Sequence, residues 1–509
     1  MATIPVRRNI KLRKDAAENW LCRSRKRRAL LTSSEELGEA PPCTIDALPS
    51  DLLVQIFKHL DQSTCRRVLP RVCHSWHDLL RKPTALWNHV DIDIAAENEV
   101  VEVIQPLQIA KVRSQQITTW LVPRAAAVKS LRLLGAPLPE ARDATRSSAA
   151  YPAIAAMQNL RVLSLKGIRA ALGEADMQAI SGLKQLRELV LDCDQPPEVE
   201  AGSPEVKWGL QSFPERLSEL SNMTHMTLSC HYGVTQLPTH ISKLNKLQVL
   251  NLDFCTLSAL PPSLGKLTKL TTLDVEGNLY LGDHYRPNEP GEESFPAELM
   301  HLKALKYLNI NSCGLTKLPS VIATLRNLET LDMEDNEFGS APSPDCGLPS
   351  GLVELTRLQC LNVAACKLNH VPPVVERLAS LRILDLTNNR LTNDGLPNGL
   401  SRLLNLKAIG LKRNCLTSVP RVLGKVPSLQ EIYLEDNQDM EVKEVLDFIV
   451  NLPALRVVMM GKQEGSWSPH SMHFMMDFAS KLKMRHPTQN ILRISYPGED
   501  RAPKEDESL

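Results

Sequence analysis

Aromatic residues make up only 4% of the chain. Large rings dominate the packing of most globular enzyme cores, so their scarcity in a sequence rich in leucine argues for many small layers instead. The 12 cysteines include no CxxC pair, which speaks against a zinc site or a redox motif and for reduced thiols in an intracellular protein. Net charge is only +1, so the chain is no polyanion binder by charge alone. No apolar run approaches the roughly 18 residues of a membrane span, and the N-terminus lacks an apolar signal-like segment, so neither membrane nor export is expected. Asn222-Met223-Thr224 is a lone glycosylation sequon, read as accidental. P-loop, GxSxG, HExxH, dinucleotide-binding and zinc-spacing motifs are all missing. We therefore expect no enzyme activity, no catalytic residue, no cofactor and no metal.

What is abundant is leucine at fixed spacing. In Leu244–Leu267, Leu247, Leu250 and Leu252 form an LxxLxL frame followed by Cys255; Leu257, Leu260, Pro261, Leu264 and Leu267 complete the unit. The frame returns at Leu270/Leu273/Val275/Asn278, Leu305/Leu308/Ile310/Cys313 and Leu328/Leu331/Met333/Asn336. It continues at Leu358/Leu361/Val363/Cys366, Leu381/Leu384/Leu386/Asn389, Leu406/Ile409/Leu411/Asn414 and Leu429/Ile432/Leu434/Asn437. Weaker copies start at Val128, Leu160, Leu186, Met223 and Leu455. This is the leucine-rich repeat, with its period of about 20–29 residues. Residues two apart share one face of a short strand, and stacked copies bury that face together. The expected fold is α/β: about 13 repeats with terminal caps, their strands making a curved parallel sheet on the concave side. The Asn or Cys that follows each strand is placed to bond backbone groups of adjacent turns. Pro261, Pro319, Pro372 and Pro420 belong on the irregular returning segment.

Residues 1–42 read as a disordered basic tail with clusters Arg7–Lys14 and Arg23–Arg28, which suit a protein of the cytoplasm, the nucleus or both. Residues 43–93 read as helical. Leu52, Ile56 and Leu60 recur at helical spacing with Leu53 and Phe57 beside them, and Ser50 or Asp51 can cap this helix. A second apolar run holds Val68, Val72, Trp76 and Leu79-Leu80, and Leu86-Trp87 closes the unit. Pro70 is placed to end one helix and start the next. His74/His77 and His470/His473 lack further ligands and are read as solvated.

LPSDLLVQIFKHL, VCHSWHDLL and ALW, in that order, resemble the F-box, a small helical module. The resemblance implies docking to the Skp adaptor, and through it to cullin, in Skp–cullin–F-box ubiquitin ligases. The matching positions are Leu48, Pro49, Leu52, Ile56, Phe57, Leu60, Val72, Cys73, Trp76 and Leu79. The whole chain would then be an F-box/leucine-rich-repeat substrate receptor that holds a target near the conjugating enzyme and does no chemistry itself. The repeats from Leu247 onward also resemble scaffolds that hold small GTPases, so the alternative is a non-ligase signalling scaffold.

Residues 94–127 read as a helical linker that caps the first repeat, residues 128–463 as the repeats, 464–496 as a C-terminal cap with a helix over His470–Arg485 and a strand over Ile491–Tyr496, and 497–509 as a disordered tail. Three insertions, Gln195–Gly209, Leu279–Ser294 and Glu337–Gly351, fall after the same turn position and are expected on one flank. On the concave face, Asp253, Phe254, Glu276, Tyr307, Glu334, Asp335, Tyr433, Glu435 and Asp436 are candidate target contacts, with Lys412 and Arg413 as a basic island. Asp274, Asp332 and Asp385 are discounted as solubilising residues. A mostly acidic wall suits a target protein with a basic segment, not nucleic acid.

Overall fold

The computed structural model describes residues 49–60, 65–66, 69–72, 74–82, 84–93, 119–135, 151–168, 171–193, 209–282, 294–340, 344–437, 452–461, 480, 483–484 and 492–495. The expectations for both tails, for residues 94–118 of the linker and for most of the helix His470–Arg485 lie outside them. The chain divides into two units, Met1–Ile56 and Phe57–Leu509, each described by itself.

Helix α1 (Ser50–Phe57) carries Asp51 in its first turn, where a carboxylate suits the helix dipole. The backbone N–H groups of Leu52 and Leu53 both reach Pro49 O, which accepts the first bonds of the helix. Pro70 lies in a single 3-10 turn, Leu69–Arg71. The next α-helix, α2, is therefore short (His74–Arg81), and Val72 stands ahead of it instead of inside it. Phe57 meets Trp76 edge-on, ring centroids 4.9 Å apart.

The second unit is built on one sheet. Its strands are β1 (His89–Asp93), β2 (Ser130–Leu134), β3 (Val162–Ile168), β5 (Glu188–Cys193), β7 (His225–Ser229), β8 (Val249–Asn251), β9 (Thr272–Asp274) and β10 (Tyr307–Asn309). There follow β11 (Thr330–Asp332), β12 (Cys360–Asn362), β13 (Ile383–Asp385), β14 (Ala408–Gly410), β15 (Glu431–Tyr433), β16 (Val457–Gly461) and β17 (Leu492–Ser495). These 15 strands pair in chain order. Each pairing is parallel, so every copy of the repeat adds one strand. The middle leucine of each copy aligns with the next: Leu250 with Leu273, Leu273 with Leu308, Leu308 with Leu331 and Leu331 with Leu361. All are buried.

Two of the strands lie outside the repeat frame. β17 falls where the cap strand is expected. β1 corrects the all-helical reading of 43–93: in His-Val-Asp-Ile-Asp, Val90 and Ile92 are buried while His89 and Asp91 face out, the two-residue period of a strand. The segment that closes the small helical module is thus the first strand of the sheet.

A ladder of amides ties the turns together. Asn336 Nδ2 donates to Ile310 O of the preceding turn and to Met333 O, both at 2.9 Å, while its Oδ1 accepts the Leu315 N–H at 2.9 Å. Asn278, Asn389, Asn414 and Asn437 repeat the pattern. Cys255, Cys313 and Cys366 supply the upstream bond, from Sγ to Leu228 O, Val275 O and Met333 O, and Cys366 Sγ also reaches Ala364 O at 3.2 Å. Burial pushes all three thiols up, Cys255 and Cys366 to about 12, so they are packing groups and not nucleophiles. On the returning side, Pro261, Pro319 and Pro420 sit in extended backbone just before 3-10 turns, and Val375 N–H bonds to Pro372 O.

The insertions are described only at their roots. Leu279–Leu281 and Phe338–Ser340 each leave the sheet just after a ladder Asn. A Cβ on Gly282 would lie 2.0 Å from Gly314 O, and one on Gly339 2.1 Å from Lys367 O, so both roots press on the following repeat. The first insertion returns through Gly209, which pairs in a two-stranded ribbon, β4 (Ala171–Leu172) with β6 (Gly209–Leu210). His231 lies beneath it, fully buried. Its Nδ1 accepts the Leu210 N–H at 3.2 Å and its Nε2 donates to Leu191 O at 3.1 Å. Burial lowers its pKa to about 4.

Candidate functional site

The ten adaptor-facing candidates separate by exposure. Leu48 and Cys73 lie outside the described residues. Pro49 is exposed, and on α1 Leu52 is 52% and Ile56 39% exposed. Four residues apart, they share one helix face, while Leu53 and Phe57 are buried. Leu60 and Val72 are half-buried. Phe57, Trp76 and Leu79 are corrected from surface contacts to core: Trp76 is only 2% exposed. Bulk drives them inward in a module this small, where large apolar groups are needed to make any core at all. The sequence motif mixes residues that present a surface with residues that hold it up.

The sheet face opposite the leucine core carries a second candidate site. In β8–β11, amide and acid alternate in register: Asn251, Asp274, Asn309 and Asp332. Asn251, Asp274 and Asn309 each accept, through Oδ1, the N–H two residues on, at 2.8, 3.1 and 3.0 Å. That bond is why a short carboxylate or amide stands at the strand's end. Asp274 and Asp332 thus stand in register beside Asp253, Glu276, Glu334 and Asp335, although the Glu334 N–H donates to Asn311 Oδ1 at 2.6 Å and not to Asp332. Among the described residues none of these six makes an ion pair.

Their partners are polar and neutral. Asn309 Nδ2 donates to Glu276 Oε2 at 2.9 Å, Asn362 Nδ2 to Glu334 Oε2 at 3.1 Å, and Ser312 Oγ to Asp335 Oδ2 at 2.8 Å. Asp253 Oδ1 and Asp332 Oδ1 have no partner among the described residues. Burial raises the pKa of Asp253 and Asp332, and burial with the charges of Asp253 and Glu276 raises Asp274 to about 6. Tyr307 stands among these acids; burial, then Asp332, Asp274 and Glu276, push its phenol to about 12. The strip is one of uncompensated negative charge.

The remaining candidates read differently. Phe254 is half-buried and lies over Gly277, where a Cβ would come within 2.5 Å of its ring; it is a packing residue. Glu435 is corrected from exposed to buried at 5% exposure, and its Oε2 has no partner among the described residues. Burial raises its pKa, then Asp436 adds to the rise while Lys412 opposes it. Arg413 pairs with Asp436 at 3.3 Å, and the Tyr433 hydroxyl donates to Glu431 at 2.7 Å. The basic island is therefore matched by its own repeat neighbours. Among the described residues no group of three His, Cys, Asp or Glu is arranged to hold a metal, and no helix is long and apolar enough to cross a membrane.

Comparison with known families now fits this geometry. The F-box-like model matches residues 45–93, and three leucine-rich-repeat models follow: the R13L1/DRL21 repeats at 152–278, a leucine-rich repeat region at 292–382 and a leucine-rich repeat at 379–438. The chain carries an F-box-like module followed by leucine-rich repeats, a make-up consistent with an F-box/leucine-rich-repeat protein. That architecture is typically non-catalytic and protein-binding.

Relatives of the F-box/leucine-rich-repeat chain include TMV resistance protein N of Nicotiana glutinosa, 31% identical over 34% of this chain and 14% of that one. Toll-like receptor 9 of Felis catus is 29% identical over 44% of this chain and 22% of that one, and lumican of Bos taurus 28% over 27% and 48%. The chain spans less than half the length of these curated relatives. Among solved structures it is similar to a leucine-rich-repeat protein of Leptospira interrogans, with TM-score 0.45 and 17% identity over 81% of this chain and 96% of that one. An internalin of Listeria monocytogenes gives TM-score 0.43 and 14% identity over 70% and 98%.

Sequence reasoning missed Arg124, His231 and the inclusion of Asp274 and Asp332. The last two carried a signal: each stands at the end of a frame strand, two residues before a glutamate. Arg124 and His231 gave none, because their partners lie 44 and 40 residues away in the chain.

Proposed function

We propose that this protein is the substrate-recognition subunit of a Skp–cullin–F-box ubiquitin ligase. The F-box binds the Skp adaptor, the repeats bind a target protein, and the chain itself performs no chemistry. The observation that carries this reading is the pair Leu52 and Ile56, large apolar side chains left in water on one face of α1 of an F-box-like module. The target side is supported by the unpaired acidic strip of β8–β11, which suits a segment rich in Lys or Arg. The basic clusters Arg7–Lys14 and Arg23–Arg28 support work in the nucleus, the cytoplasm or both.

Titration of purified Skp adaptor into the chain tests the proposal. Wild type is expected to bind at micromolar concentration or tighter. Leu52→Asp/Ile56→Asp should weaken binding by well over tenfold with an unchanged thermal midpoint, as expected for exposed anchors. Absence of wild-type binding would overturn the ligase reading and leave a leucine-rich-repeat scaffold whose helical module serves as a cap.

A further inference from the structure

We propose that Arg124 is a positioning residue: with Trp87 and Trp120 it locks the C-terminal end of α2 to the start of the repeat sheet and holds the two in one direction. Its meaning for ubiquitin transfer rests on the ligase reading; the clasp itself does not.

The last carbonyls of any helix lack partners within it. Here Leu80 O, near the end of α2, receives two donors from beyond the helix: Trp87 Nε1 at 3.1 Å and Arg124 Nε at 3.0 Å. The same guanidinium donates through Nη1 to Trp120 O. Its central carbon lies 4.3 Å from the Trp120 ring centroid and 5.1 Å from that of Trp87. The two indoles meet edge-on at 5.0 Å. One planar cation thus joins two carbonyl oxygens and two rings drawn from three places in the chain. Arg66 approaches Trp120 as well, at 6.0 Å.

Both sides of the clasp run straight into the sheet. β1 starts just after Trp87, and β2 starts soon after Arg124. Lys129 N–H and Ser130 N–H both bond to Asn88 O, at 2.8 and 2.9 Å, before the strands pair. Helix, clasp and first strands are thus tied by hydrogen bonds at Leu80 and at Asn88.

The choice of residue is informative. Arg124 is 4% exposed and makes no ion pair among the described residues. Burial, then the charge of Arg81, lowers its pKa to about 10. A buried cation without a carboxylate is a poor way to gain stability, since apolar groups of similar size usually serve better. What Arg supplies that an apolar residue lacks is direction: a flat fork with several donors and two stackable faces.

The test uses the full chain with spin labels attached through unnatural amino acids at positions 78 and 404, both exposed. Pulsed electron spin measurements should give one narrow distance distribution. Arg124→Ala should at least double its width, Trp120→Ala should do the same, and the double variant should be no wider than either alone. Arg124→Lys should stay broad, because an ammonium cannot span both carbonyls and stack. Hydrogen exchange of the α2 amides, read on the same samples, should change less than threefold. An unchanged width in Arg124→Ala overturns the proposal. So does broadening that comes with loss of protection throughout α2, which would make Arg124 a stabiliser only. If wild type fails to bind the adaptor, the ligase reading falls while the distances still decide the clasp.

Discussion

Strands β8–β11 and β14–β15 offer the same repeat positions to the same sheet face, and both place acids there. Just after β14 and β15 the charges are partly matched: Arg413 holds Asp436, and Lys412 offsets part of the rise that burial gives Glu435. In and just after β8–β11 six carboxylates meet only amides, hydroxyls and each other. Balanced charge at one end costs little and attracts little. Unbalanced charge at the other is held at a cost, seen as raised carboxyl pKa values, and a folded chain keeps such a cost where a partner of opposite sign repays it.

The largest effect expected from this contrast concerns Asp274. Its folded pKa of about 6 lies above the 3.8 of a free carboxyl. The folded state therefore binds the extra proton between those values, and stability falls as pH rises from about 4 to 6. The cost at neutral pH is on the order of 3 kcal/mol at most. Asp274→Asn keeps the acceptor for the Glu276 N–H, so urea unfolding at pH 7 should show the variant more stable than wild type, with no gain at pH 4. His231 works in the opposite sense. Its pKa is depressed to about 4 from 6.5, so its contribution is full above 6.5 and is lost as pH falls toward 4. Asp274 opposes His231 in this window, as do Asp253, Asp332 and Glu435, so Asp274→Asn should lose more stability in acid than wild type does. A flat profile in both would break the comparison.

Next in size is charge reversal. Glu276→Lys/Glu334→Lys should weaken binding of an arginine-rich probe peptide about thirtyfold, or about 2 kcal/mol, measured by fluorescence anisotropy at low salt. Lys412→Glu should change it less than threefold. Equal effects at the two places would show that the face is read as a whole.

Smaller effects mark the balanced end. Glu435→Gln removes a buried charge with one oxygen unpaired, and should stabilise the protein by about 1 kcal/mol at pH 7 in thermal unfolding. Asp436→Asn releases a part-exposed ion pair with Arg413, and should cost no more than about 0.5 kcal/mol.

Much of this architecture was legible beforehand because its physics is local and periodic. The thirteen frame positions each give a strand, and the Asn and Cys turns bond as their position requires. β1 was not legible, because five alternating residues after a helical motif carry too short a period to register. Exposure within the F-box was only half legible: spacing put Leu52 and Ile56 on one face, but Trp76 and Leu79 carry the same apolar signal whether they face a partner or a core. The buried state of Glu435 and the guanidinium clasp depend on contacts between distant residues, which no pattern in one sequence records.

The measurement that bears most directly on the whole account is a three-component titration by analytical ultracentrifugation. The chain, purified Skp adaptor and the arginine-rich peptide are mixed pairwise and together. A receptor with two independent sites predicts a one-to-one-to-one complex, with the affinity of each ligand unchanged within about twofold by the other, as sites without coupling require. Competition between adaptor and peptide, or a chain that binds the peptide but never the adaptor, would contradict it.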